Sequence, residues 1–340
     1  MLGFFLSDSV SRPTMTPETI VLMVIVLASL LIAQVVGYFL RRQPDTTWNP
    51  AVIRSFNLRL RAYWMMSAIL TAAILIPYRE ATVILFFLVS FWALREFITL
   101  TPTRIGDHRA LFWVFFIFAP LQYFFVSRLS VGVGRYVNWY EVYFIAIPVF
   151  GFLFIPTRIA LAGDSKRFLE RAAKTQAALL ICVYALSYAP ALLYLPLTHS
   201  DGTAWSGGNP GVLFFFIVLV QIGDLLQYAW GKFIGKHVIA PEINANRTWE
   251  GFIGGVISTT MLGTVLFWVT PFGPGEAALM SLAIAVMGFA GTMTMSAIKR
   301  DRGVKDYGTL VRGHAGVLDR IDSLCFAAPV FFHLTRAFYT

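Results

Sequence analysis

Apolar residues run in blocks of roughly 17–25 positions, the length a helix needs to cross a hydrocarbon core, separated by short polar stretches. In chain order the blocks predict spanning helices at about 19–40, 62–78, 81–98, 110–127, 139–156, 175–197, 211–230, 251–271, 276–298 and 323–339. That makes ten. The blocks are too long and too uninterrupted for the strands of an outer-membrane barrel. The stretch through Thr19 has no basic segment ahead of a short apolar core, so no cleaved signal peptide is expected. With no internal repeat and no low-complexity linker, a transporter built from repeated halves gains no support.

Composition agrees with the pattern. A chain of 340 residues that is 57% hydrophobic and 16% aromatic carries more apolar surface than a soluble core could hide. The expectation is an all-α polytopic integral membrane protein. Its net charge of +9 does not point to nucleic acid, because the bases lie in short loops between helices and not in a domain of their own. Placing residue 1 outside puts 22 of the 27 Lys and Arg on the cytoplasmic side, an asymmetry expected of a multi-pass protein of the cell inner (cytoplasmic) membrane. Cys182 and Cys325 fall inside apolar blocks and read as small core residues. The first six spans hold few polar residues, so residues 1–197 read as a membrane scaffold, with surface available for a homodimer. Loop 157–174, with Asp164, Lys166, Arg167, Glu170 and Arg171, reads as a short interfacial helix on lipid headgroups.

The remaining 198–340 holds the candidate chemistry. Only 13% of the chain is charged, yet residues 296–323 carry six Lys/Arg, four Asp and a His between two apolar blocks. Topology explains the bases, but carboxylates contribute little to orientation, so the acids ask for metal or phosphate chemistry. If the preceding block is a helix that continues into this stretch, Ser296, Lys299 and Arg300 share one face of its end. Asp319 and Asp322 are three apart, and at the N-terminus of the next helix both could hold a hard cation such as Mg²⁺. Gly303, Gly308, Gly313 and Gly316 permit tight turns and close approach of backbone amides to an anion. Together these features suit a nucleotide polyphosphate.

A second polar stretch lies at the inner end of the seventh block. An Asp with two Gln inside an apolar span is costly unless it faces a cavity, so Asp224, near Gln221 and Gln227, is a site candidate. The competing reading is a structural hydrogen-bond partner for a neighbouring helix. Gly251, Gly254 and Gly255 open the next span, where close helix packing accounts for them.

The stretch from Ser296 to Asp322 resembles the signature of phosphatidate cytidylyltransferases, also called CDP-diacylglycerol synthases. Ser296, Lys299, Arg300, Lys305, Asp306, Gly308, His314, Gly316, Asp319, Arg320 and Asp322 stand at matching spacings. Around the seventh block, Asp224, Tyr228, Gly231, Gly235, Lys236, Thr248, Glu250 and Gly251 match the same family. The sequence departs from it at Thr292 and Met295, where the family carries acids, and at Arg312, Ala315, Asn244, Ala245 and Arg247. Arg in place of Lys keeps charge but changes donor geometry.

The resemblance implies that the phosphate of phosphatidic acid attacks the α-phosphorus of CTP, leaving CDP-diacylglycerol in the bilayer and releasing pyrophosphate. It implies catalytic roles for Ser296, Lys299, Arg300, Lys305, Asp306, His314 and Arg320. Substrate contacts would fall to Lys236, Arg247, Thr248, Glu250, Gly313 and Gly316, and one or two cations, Mg²⁺ first, to Asp224, Asp319 and Asp322. Partners would be CTP, phosphatidic acid or a related lipid phosphate, and membrane lipids. Thr292, Arg312 and Ala315 also suit a paralogue acting on another lipid phosphate, or a CTP-dependent lipid-alcohol kinase. From another class, a catalytically silent scaffold or lipid transporter would keep the same helices. The Asp-x-x-Asp-Gly-x-x-Ala-Arg motif of CDP-alcohol phosphatidyltransferases is absent.

Overall fold

A computed structural model describes residues 16–42, 50–100, 103–129, 139–307 and 316–340. Among these the protein is helical, with two isolated bridging pairs, Thr198–Ala204 and Val238–Thr248, and no strand. Ten helices stand where ten apolar blocks predict them. They are α1 (Pro17–Arg42), α2 (Pro50–Leu75), α3 (Arg79–Thr99), α4 (Ile105–Arg128), α5 (Trp139–Ala160), α6 (Phe168–Tyr194), α7 (Asn209–Phe233), α8 (Trp249–Val265), α9 (Pro274–Asp301) and α10 (Leu318–Tyr339). Among the described residues seven of these helices are long and apolar enough to cross a membrane. The protein is therefore a multi-pass membrane protein.

The interfacial helix expected within 157–174 is not a separate element. Residues from Phe168 onward are the first turns of α6, which runs on to Tyr194. The cause is Arg171: its side chain is buried, paired with Asp107 at 3.3 Å and Asp164 at 2.8 Å, so this face turns inward rather than onto headgroups. Arg104 reaches the same Asp164 carboxylate at 2.9 Å. That bond, followed by the Lys166 N–H, holds the Asp164 carboxyl below its ordinary value.

Without a hydrophobic drive between helices in lipid, association depends on close packing and buried polar bonds. Helices α4, α5 and α6 contain one π-helical turn each, at Val114–Phe118, Ala146–Gly151 and Leu180–Ala185. A buried knot ties the same three: Tyr143 on α5 bonds Ser187 on α6 at 2.9 Å, and Gln122 on α4 donates to Ser187 at 3.3 Å. Between α7 and α8 the approach is so close that a Cβ on Gly251 would lie 2.7 Å from the Gln227 carbonyl oxygen. One on Gly255 would lie 2.3 Å from Gln227 Cγ. The glycines at the start of α8 thus serve packing.

Helix α10 is the hub. It packs on α9 and α7 and also on α3 and α6, so the scaffold half and the half with the polar stretches share one core. Phe331 and Phe332 are fully buried in it, and Phe331 stacks on Phe216 of α7 at 5.0 Å.

Candidate active site

Four elements meet around Asp224, in the C-terminal half of α7. Helix α9 delivers Thr292, Ser296, Lys299 and Arg300 on its last turns, and ends where Gly303 takes a positive φ of 70°. The N–H of Gly303 donates to the Arg300 carbonyl at 2.9 Å and that of Val304 to the Lys299 carbonyl at 3.0 Å. This left-handed stop satisfies the last carbonyls and fixes the direction in which Lys299 leaves the helix. Ser296, buried, accepts a hydrogen bond from Asn244 at 3.1 Å, and Arg300, exposed, donates to the Ile243 carbonyl at 3.1 Å. The helical turn Pro241–Asn244 is thereby pinned against α9.

Asp224 projects from α7 towards α9. Its Oδ1 accepts from Arg247 at 3.3 Å and from the Thr292 hydroxyl at 3.3 Å. Arg247 also donates to Gln227 Oε1 at 3.0 Å, and Gln227 passes the chain on to the Ala285 carbonyl at 3.2 Å. Thr292 thus faces Asp224 from α9. Asp322, on α10, is buried under the combined charges of Asp224, Lys299 and Arg247. Among the described residues its carboxylate accepts one hydrogen bond, from the Ser323 N–H at 2.7 Å.

Asp319 is engaged differently. Its side chain is 5% exposed and pairs with Lys299 Nζ at 2.7 Å. The other oxygen accepts from the N–H groups of Tyr307 at 2.8 Å and Gly316 at 3.0 Å. Asp319 thus ties the backbone of Tyr307 and Gly316 to the first turn of α10 and holds Lys299. No group of three metal-ligating side chains converges among the described residues, so Asp224, Asp319 and Asp322 do not form one three-carboxylate cage. Asp224 and Asp322 form the inner pair.

The other expected residues divide by location. Thr248 caps α8, accepting from the Gly251 N–H at 3.1 Å. Glu250 clamps the 236–237 turn, accepting from the backbone N–H of Lys236 at 3.0 Å and of His237 at 3.2 Å and pairing with the His237 ring. Lys236, Lys305 and Asp306 are exposed, Gly316 lies two residues before α10 and Arg320 in its first turn. Gly313 and His314, with Gly308, Arg312 and Ala315, lie outside the described residues.

Two residues escape sequence reasoning. Glu96, buried on α3, accepts from the N–H groups of Val317 at 3.1 Å and Leu318 at 2.8 Å, and so caps α10 from another helix. Its one visible signal is a lone acid inside an apolar block. Tyr307 is buried, stacks on Phe97 at 6.2 Å and donates to the Met295 carbonyl at 3.0 Å. It also places its ring 5.3 Å from Lys299 Nζ.

Comparison with known proteins agrees with this geometry. The profile of the Cytidylyltransferase family matches residues 57–338. Uncharacterized protein YnbB of Escherichia coli (strain K12) is 38% identical over 282 residues, 82% of this chain and 87% of that protein. The phosphatidate cytidylyltransferase of Staphylococcus haemolyticus (strain JCSC1435) is 34% identical over 152 residues, covering 44% of this chain and 56% of that one. That of Bacillus subtilis (strain 168) is 37% identical over 128 residues, 37% of this chain and 48% of the other. The match to the two named enzymes thus spans about half of each, whereas the family profile runs from within α2 almost to the end of α10. The chain belongs to the cytidylyltransferase family, as a multi-pass membrane member of it.

Proposed function

We propose that the protein transfers the cytidylyl group of CTP to the phosphate of phosphatidic acid at the cytoplasmic leaflet of the inner membrane. The observation that carries this reading is the inner carboxylate pair, Asp224 and Asp322, flanked by Arg247 and Lys299 on the segments the family profile covers. The loop-charge asymmetry supports the cytoplasmic placement.

Nucleotidyl transfer asks a protein for alignment and charge neutralisation more than for covalent chemistry. A phosphate oxygen of the lipid attacks the α-phosphorus, the bond from that phosphorus to the bridging oxygen breaks, and pyrophosphate leaves. Lys299 and Arg247 would hold phosphate oxygens, each already poised by a carboxylate partner. Asp319 would keep Lys299 aimed, and Ser296 with Asn244 would fix the wall behind it.

The residues fit a divalent cation. Asp322 is buried with only one hydrogen bond to its carboxylate among the described residues, and it stands beside a second carboxylate, a hard oxygen donor set with lone pairs to spare. Mg²⁺ held by Asp224 and Asp322 would supply further neutralisation of the phosphates.

The test uses the purified full chain in lipid nanodiscs with phosphatidic acid and CTP labelled at either the α- or the γ-phosphate. α-Label in the lipid and γ-label in pyrophosphate are expected. Asp322→Asn should slow the reaction by about 10²–10³-fold. No labelled lipid under conditions where a phosphatidate cytidylyltransferase works would sink the proposal, and γ-label in the lipid would make the protein a kinase. Thr292 favours one second reading, a paralogue taking another lipid phosphate, since its hydroxyl contacts Asp224 where the family carries an acid. Replacing phosphatidic acid by other lipid phosphates in the same assay separates the two.

A further inference from the structure

Between α1, α2, α3, α7 and α10 lies a cavity of about 640 Å³. Its walls are almost wholly apolar, with Val26 on α1, Leu70 on α2, Phe86 on α3 and Phe214 on α7 towards one end. Gln221, Gly316 and Arg320 line it near the start of α10 and Arg61 from α2, with Ser29, Tyr63 and Ser67 among the other walls. Phe214, Ile217 and Val218 on α7 and Leu324 on α10 line it on the side away from the 296–322 stretch, while Ile222, Leu225 and Val317 line it beside Gln221 and Arg320.

The wall near the start of α10 is shared with the site. Gly316 lines the cavity and its N–H binds the Asp319 carboxylate, while the Gln221 amide donates to the Arg320 carbonyl at 3.2 Å. Arg320 follows Asp319 directly, so the two faces of the first turn of α10 serve the cavity and the carboxylates respectively. Neither Arg61 nor Arg320 has a carboxylate partner among the described residues, which leaves two guanidinium groups at the mouth of an apolar chamber. An acyl chain fills such a chamber, and an anionic head answers such a mouth.

The structure assigns this chamber to the acyl chains of the lipid phosphate, with the phosphate drawn to Arg61 and Arg320, and we infer that α1 is the wall that decides which chains fit. Helix α1 lies outside residues 57–338, the part matched by the family profile, so this wall belongs to the present chain rather than to the shared core. The assignment rests on the cytidylyl-transfer reading for the identity of the lipid, but the binding it describes needs no turnover.

The first measurement is therefore made without CTP. The full chain in phosphatidylcholine nanodiscs is irradiated with a phosphatidic acid carrying a photoreactive group in one acyl chain, and adducts are mapped by mass spectrometry. Adducts on α1, α2 and α7 facing the chamber, displaced by unlabelled phosphatidic acid and not by added phosphatidylcholine, are expected. Adducts elsewhere, or equal displacement by both lipids, would overturn the assignment and mark the chamber as a place for ordinary bilayer lipid. The second measurement tests the wall. Ala33 lines the chamber from α1, whereas Leu31 on the same helix is 55% exposed and faces away. A33W should raise KM for dioleoyl phosphatidic acid roughly ten- to a hundredfold, leaving KM for CTP and turnover of the dihexanoyl lipid unchanged. L31W should change none of them, and equal behaviour of the two variants would refute the role of α1. Chamber adducts from a wild-type chain that never labels lipid from CTP would uphold the binding site and sink the reaction instead.

Discussion

Removing the carboxylate of Glu96 should disable a site that it does not touch. Glu96 is 5% exposed and caps α10 through Val317 and Leu318, the latter fully buried and one residue from Asp319. In Glu96→Ala both N–H groups lose their partner where water is scarce. Two bonds to a charged acceptor at ~1.5–3 kcal/mol each, with ~0.5–1 kcal/mol from the helix end, make a gross loss of about 3.5–7 kcal/mol. Burying the carboxylate itself opposes this, so the net loss is about 2–4 kcal/mol. The first turn of α10 should then fray, and a shift of about 1 Å at Asp319 and Lys299 is enough to slow transfer by about 10²-fold. Glu96→Gln keeps one acceptor oxygen without the charge and should fall between. The assay is thermal unfolding in nanodiscs, combined with hydrogen exchange of the 317–320 amides and lipid labelling from CTP. If Glu96→Ala melts with the wild type and its 317 and 318 amides exchange as slowly, the cap is not what holds α10.

Three further outcomes follow from the same geometry. Thr292→Asp puts a third carboxylate against Asp224 and Asp322, so this variant should melt below the wild type in chelator and gain more than the wild type from millimolar Mg²⁺; no difference in metal response would argue against a cation at that pair. Arg171→Ala leaves the buried Asp107 carboxylate uncompensated and should lower stability by about 3–5 kcal/mol, read by thermal unfolding, while a substitution at exposed Leu161 should not. Because the folded-state value of Asp164 is lowered, chiefly by Arg104, its contribution is fully present above the ordinary carboxylate value of 3.8 and lost as pH falls through the lowered one. The difference in melting temperature between wild type and Asp164→Asn should therefore be constant from pH 7 to about pH 5 and close below it; a gap that persists at pH 2 would contradict this.

Helix positions were legible because period and length report burial in lipid directly, and all ten apolar blocks coincide with helices. The shared face of Ser296, Lys299 and Arg300 was legible for the same reason, since 3.6 residues per turn fixes it. What the sequence hides is how each acid is engaged. Asp319 and Asp322 have the same spacing on any helical projection, yet one is held by Lys299 and two backbone amides and the other faces Asp224. Glu96 meets Val317 across 221 positions, a separation no local pattern encodes. The interfacial reading of 157–174 failed similarly: its charges look solvated until Asp107, 64 residues before Arg171 in the chain, turns up beside it.

The ion pairs also bear on how the chain is made. Asp224 sits on α7 and Arg247 in the loop that leads into α8, and Lys299 and Asp319 sit on consecutive helices. Each hairpin leaving the ribosome can therefore compensate these opposite charges internally before it meets the other, which lightens the penalty of carrying them into the bilayer. Assembly of the centre then needs only lateral docking of preformed hairpins, with no ionic partner exchanged along the way.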